Sequence, residues 1–187
     1  VSLHSVDERE ALAALRLLDV HRKAHLVPPL LVYHPADSVA LEALDVMARS
    51  RRTDVLPLLT KVIEGSSAER RAAALRAHHA IAPSSVVLEA HADDASPHVK
   101  AAILVALAGR EETCVDAVRR VTEIVHGDDV LLKTALARAI ADDVHDRWVP
   151  VLVEVGRCKE DEIRLEVAAS ARLLRAAELV PTLVAML

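Results

Sequence analysis

The sequence predicts an all-α fold, a solenoid of about six stacked helical hairpins, and three observations carry that reading. Proline recurs in one setting, LVPPL, VLPLL, WVPVL and LVPTL, at Pro28, Pro57, Pro150 and Pro181. Counting back 18 residues from each gives Glu10, Val39, Leu132 and Ile163, and each opens a helical run of small and aliphatic residues. Arg70 and Val99 open two more runs, with Leu88 and Ala117 at the proline position, so the six starts lie 29, 31, 29, 33 and 31 residues apart. Near-constant spacing of this size marks a repeat architecture. The second observation is composition: 52% of the 187 residues are apolar but only 1% are aromatic. A core of Ala, Leu and Val suits helix axes that approach closely, whereas a compact globular core draws bulk from rings. Third, all four glycines, Gly65, Gly109, Gly127 and Gly156, fall where a helical pattern stops. They are expected to end helices at positive φ, where a side chain would clash.

Taken in order, the repeat units start near residues 5, 36, 67, 96, 128 and 160 of a single domain, 1–187. The template is Val39 to Ile63, one amphipathic hairpin. First helices carry core residues at helical spacing: Ala14, Leu15 and Leu18; Ala43, Leu44 and Met47; Ile103, Leu104, Ala106 and Leu107; Leu136, Ala139 and Ile140. Ser5 to Glu8 and Ser66 to Glu69 match the capping box, in which Ser and Glu satisfy free backbone donors. Ser96 before Pro97 fits an N-cap with proline at the first helical position. The second helices open on the proline motif, which costs little where N–H groups lack intrahelical partners. Asp54 and Thr113 are the expected caps there. Their core residues are expected at Leu58, Leu59, Val62 and Ile63, at Val118, Val121, Ile124 and Val125, and at Leu179, Val180, Leu183, Val184 and Leu187. The turns at 50–53, 82–84 and 110–112 are short and mostly polar. A hairpin of ~30 residues cannot by itself offset its conformational entropy, so each must cover its face with the next. First helices are expected on the convex side and second helices on the concave side.

These residues resemble a family. A helix start, a basic residue, an Ala/Leu run and then V-P-x-L is similar to bacterial HEAT repeats. Val99 to Leu107 and Leu132 to Ile140 are the closest first helices, and Ile163 to Leu183 is the closest full unit. The basic second position recurs as Arg71, Lys100, Lys133 and Arg164, while the first two units have Ala11 and Ala40 there. The resemblance spans the chain and implies a right-handed α-α superhelix. It says little about function, because such arrays serve many tasks. Leu31 to Leu59 is also similar to HEAT segments that follow membrane-transporter-like regions of large bacterial proteins, which would make this a regulatory segment. The chain opens on Val1 rather than Met and is expected to be part of a longer protein.

Composition narrows the function classes. A net charge of −5 argues against nucleic acid, whose phosphates need clustered Lys and Arg. No apolar run approaches the ~18–20 residues that span a bilayer, and no signal peptide is present, so a cytoplasmic chain without membrane insertion is expected. Cys114 and Cys158 have no metal-ligand spacing and are expected to be reduced. His21 and His25 stand four apart but in a turn, and His78 and His79 point in different directions on a helix, so no metal or cofactor is expected. HEAT-like enzymes that hold iron through His-Glu pairs are similar in fold, but no His-Glu dipeptide occurs here. HEAT-like DNA glycosylases use a basic, aromatic groove. The lone Trp148 is expected in the core, and the cluster of Arg49, Arg51 and Arg52 is expected in a solvated turn. A HEAT-fold enzyme, chromophore-lyase-like or nucleic-acid-processing, remains the alternative of a different class.

The expected function is a non-enzymatic protein-interaction scaffold. Positions three and four past the proline, with their charged neighbours, form a mixed polar strip of Thr60, Lys61, Glu64, His91, Arg119, Arg120, Glu123 and Glu154. A protein segment is the expected partner. The final helix, Leu179 to Leu187, has no charge after Glu178. It is expected to be covered by further repeats or by self-association with another chain.

Overall fold

A computed structural model describes residues 7–109 and 113–186. Every regular element among them is helical. The chain divides into two compact units, Val1–Val87 and Leu88–Leu187.

The first unit contains α1 (Glu8–Val20), α2 (Asp37–Arg49), α3 (Leu56–Gly65) and α4 (Ala68–Ile81). α1 packs on α2, and α4 packs on both α2 and α3. The small side chains anticipated for close approach are buried here: Ala40 and Ala43 on α2, and Ala72, Ala73, Ala74 and Ala77 on α4. Polar ties join successive first helices near their ends. Asp19 of α1 pairs with Arg49 of α2 at 2.9 Å. Arg70 of α4 donates to the Asp37 carboxylate at 2.6 Å and to the His34 carbonyl at 2.7 Å.

In the second unit, α6 (Pro97–Ala108), α8 (Val130–Asp142) and α10 (Asp161–Leu174) pack on one another in sequence. Behind them lie α7 (Cys114–His126), α9 (Val149–Val155) and α11 (Val180–Ala185). α7 packs on α6 and touches α9, and α9 touches the turn that precedes α11. The short α5 (Ser85–Glu89) comes before α6 in the chain. Ser170 of α10 is fully buried, and its hydroxyl donates to the Ala137 carbonyl of α8 at 2.6 Å. A buried hydroxyl needs such a partner.

The proline register has a local structural signature. A 3-10 turn occupies the residues four to two before each proline: Ala24–Leu26, Thr53–Val55, Asp146–Trp148 and Ala177–Leu179. After three of these turns an α-helix starts at the residue preceding proline, namely Leu56, Val149 and Val180. The expected second helix therefore has a 3-10 entrance. The first hairpin departs from this, because Pro28 is followed by Pro29. A residue before proline is pushed out of the α region. Pro28 accordingly adopts ψ 127, and only a 3-10 segment, Pro29–Tyr33, follows.

The glycines stand at helix ends as expected, yet none has positive φ. The left-handed positions belong to Arg22, Arg51 and Arg175, each 12 residues after the residue that lies 18 before a register proline (Glu10, Val39 and Ile163). After α1 and α2 they sit in the position that glycine usually takes in a Schellman closure. The Lys23 N–H reaches the Leu18 carbonyl at 2.7 Å and the Arg52 N–H reaches Met47 at 3.3 Å. Gly156 serves packing instead. A Cβ there would lie 2.5 Å from Thr182 Cγ2 and 2.7 Å from Met186 Cε, so its absence lets α9 and α11 meet.

Several expected caps are corrected. Ser67, not Ser66, caps α4, accepting from the N–H of Arg70 at 3.5 Å, and Glu69 is not its reciprocal partner. Asp7 caps α1; Ser5 lies outside the described residues, as do 110–112 and Leu187. Asp54 lies inside a 3-10 turn and pairs with Arg52 at 2.6 Å. Thr113 precedes α7, but its hydroxyl donates to the Leu107 carbonyl at 2.7 Å rather than to the helix start. Ser96 holds the N-cap position before Pro97 without a side-chain cap bond.

Candidate functional site

The expected strip separates into groups when its residues are placed. Thr60, Lys61 and Glu64 are exposed along α3 in the first unit. Three residues of the strip, Arg119, Arg120 and Glu123, share α7 in the second. Glu154 lies half-buried on α9 and pairs with Arg157 at 2.5 Å. His91 is not on a helix. α5 ends at Glu89, so the register that would have turned His91 outward stops before reaching it.

α7 has the strongest amphipathic division of these helices. Ala117, Val121 and Val125 are buried on one side. Val118 was expected among them but stands 43% exposed, because at 100° per residue it lies at the edge of that side, ~60° from its centre at Val121; Val115, ~120° from the same centre, is 85% exposed. Thr122 lies between these two valines, and Arg119, Glu123 and Asp116 follow on one flank of them, all exposed. Arg119 is held by Asp116 at 2.7 Å and by Glu123 at 2.5 Å, one turn away on either side. The hydrogen bond from Arg119 holds the Asp116 carboxyl below its ordinary range, and the same bond raises the Arg119 guanidinium. Arg120 turns off this face. It pairs with Asp116 at 3.2 Å and lines a groove of about 340 Å³ with Lys100, Glu123, Asp129 and Leu132. The two arginines read as one feature in the sequence thus serve two surfaces.

The arginine cluster in the turn after α2 is structural rather than simply solvated. Arg49 bridges Asp19 and Glu42. Arg51 takes the left-handed position. Arg52 is largely covered and donates to the carbonyls of Val27 at 2.5 Å and Ala24 at 3.3 Å. Trp148 lies in the core as expected, 1% exposed. Its indole N–H reaches the Asp143 carboxylate at 2.8 Å, and the Arg147 guanidinium carbon stands 5.9 Å from the ring centre.

The basic second position of the first helices is half-buried at Arg71, Lys100, Lys133 and Arg164. Arg71 donates to the Ser66 carbonyl at 3.0 Å, and Lys133 lies 3.6 Å from the Cys158 thiol. Cys114 and Cys158 are both free. Among the described residues no three His, Cys, Asp or Glu side chains are grouped to hold a metal, and no helix is long and apolar enough to cross a membrane.

Sequence reasoning missed an apolar groove. Val180 and Val184, expected in the core, are 55% and 62% exposed. With Leu183 and Met186 they form one wall of a groove of about 680 Å³ whose other wall is Leu165 and Ala168 of α10. The missed signal was α10's second apolar stripe, opposite the one that packs on α8. No family model, curated protein or solved structure matches the chain.

Proposed function

We propose that the chain is a HEAT-like α-solenoid and a non-enzymatic scaffold that grips a protein segment. The observation that carries the reading is the outer face of α7, where two exposed valines lie beside Arg119, Glu123 and Asp116. Apolar contact area framed by both signs of charge is the composition of a protein-binding surface, with the valines supplying burial and the charges orientation. The recurrent proline turn supports a repeat array that would set such faces at regular intervals.

The test is selection of peptide ligands on the immobilised chain, followed by titration against variants. Arg119→Glu with Val115→Asp is expected to weaken the selected peptide about tenfold or more, as loss of a central apolar and charged contact does. Stability should change only slightly, because both side chains are exposed and only the pairs of Arg119 with Asp116 and Glu123 are lost. Binding that ignores these changes, and equally Lys61→Glu and Arg120→Glu, would sink the reading.

A further inference from the structure

The basic residues at the second position of the first helices meet different partners. Arg71 donates to a carbonyl, and Arg164 pairs with the Asp161 carboxylate at 3.4 Å. Lys133, near the start of α8, departs from this. Its ammonium donates to the sulfur of Cys158 at 3.6 Å, 25 residues along the chain in the connection between α9 and α10. Sulfur is a weak acceptor, so the contact adds little at rest. Amine and thiol are both nucleophiles, and the pair becomes reactive once the sulfur is oxidised to an electrophile.

Cys158 stands where an oxidant reaches it. It is free and half-buried, and it lines a groove of about 570 Å³ together with Arg157, Lys159 and Arg164. Reactive cysteines occupy electropositive, partly exposed settings of this kind. A groove also opens beside Lys100, the same repeat position in an earlier hairpin with others following it in the chain. Such an opening therefore goes with the repeat.

We propose that Lys133 and Cys158 are an oxidation-dependent cross-linking site, with a hydroperoxide as the oxidant. In the first step the sulfur gives two electrons to the peroxide and the O–O bond breaks. One oxygen stays on sulfur as a sulfenic acid and the other leaves as water. In the second step the neutral Lys133 amine attacks that sulfur. The S–N bond forms, the S–O bond breaks, and the hydroxyl leaves with an amine proton as a second water. The proton that the ammonium gave up beforehand goes to solvent. Sulfenic acids condense with backbone nitrogen in the same way. The link ties α8 to the α9–α10 connection and closes a loop that contains the Trp148 turn and α9. Closing a loop restricts the unfolded chain, so the oxidised protein should melt at a higher temperature.

Hydrogen peroxide titration of the full chain carrying Cys114→Ser, read by intact mass and peptide mapping, tests the proposal. The expected product is about 2 Da lighter, joins the Lys133 and Cys158 peptides, and regains its starting mass in dithiothreitol. Lys133→Arg keeps the charge but offers no nucleophilic amine, and oxidation should then run on to species about 32 and 48 Da heavier. Lys159→Arg changes the exposed lysine next to Cys158 and should leave the link intact. Oxidation in urea should add oxygen without linking, because folding alone brings the pair together. A link that persists in Lys133→Arg or in urea, a link lost in Lys159→Arg, or a folded protein that only gains oxygen would each overturn the assignment. Peptide binding on α7 plays no part in these outcomes.

Discussion

Residues 24–33 and 146–155 begin alike. Each enters a 3-10 turn that ends two residues before a proline. They then diverge. Before Pro28, Leu26 is 54% exposed and no α-helix follows, whereas before Pro150, Trp148 is 1% exposed and α9 follows at once. The shared part is local, since proline fixes its own φ and lacks an N–H. The divergent part has two causes. Pro29 removes the α conformation from Pro28. The neighbours then compensate differently: Arg52 holds the first segment by its carbonyls, while the second buries an aromatic anchor with a satisfied indole N–H. One turn motif can therefore either start a helix or simply redirect the chain.

The largest expected effect comes from emptying the anchor position. Trp148→Ala should cost ~3–5 kcal/mol in chemical denaturation of the unit that contains it. Leu26→Ala, at the same distance from its proline, should cost under ~1 kcal/mol as a half-exposed change. Equal costs would mean that the two turns carry equal weight after all.

Next comes the prop of the first segment. Arg52→Met removes charged hydrogen bonds worth ~1.5–3 kcal/mol to otherwise weakly held carbonyls. Hydrogen exchange should speed up at the amides of Leu26 and Val27, which bond only within that turn, while the amides inside α2 stay protected. Equal acceleration in both places would assign Arg52 to general stability instead.

Gly156→Ala tests the closeness of α9 to α11. The added carbon falls within 3 Å of Thr182, Met186 and the Leu152 carbonyl, an overpacking expected to cost ~1–3 kcal/mol. Gly65→Ala has nothing within 4 Å and should be neutral or stabilising by ~0.5 kcal/mol through reduced backbone entropy. Urea midpoints of the two variants should move apart.

The smallest effect is a baseline from α4, outside both segments. Burial lowers the pKa of His78 below its ordinary 6.5. The unfolded chain then binds the proton more readily, so stability is full above pH 6.5 and falls as pH drops below it. Melting measured at pH 7.5 and 5.5 should show a decrease that His78→Gln reduces. An undiminished decrease would place the titration elsewhere.

What was readable in advance followed from local rules. The prolines marked the turns because their constraint acts on adjacent backbone. Thr60, Lys61 and Glu64 were correctly turned outward because α3 keeps its helical register. His91 was not, because α5 is too short to carry that register to it. The glycine positions were right and their conformation was not: the left-handed residues are Arg22, Arg51 and Arg175, which follow other helices. Val118, Val180 and Val184 were misassigned for one reason: apolar character names candidates for burial, while only a facing element decides which of them is covered.

By itself, then, the sequence determined the helical character and the 3-10 turns before Pro28, Pro57, Pro150 and Pro181, because these depend on residues within about one turn of each other. The tertiary structure alone decided which arginine clamps a carbonyl and which lies on a surface. It also decided that Trp148 rather than Leu26 is an anchor, and that α10 keeps a second apolar face open. Those outcomes depend on residues about 25–40 positions apart coming into contact, and no local pattern specifies which distant partner arrives.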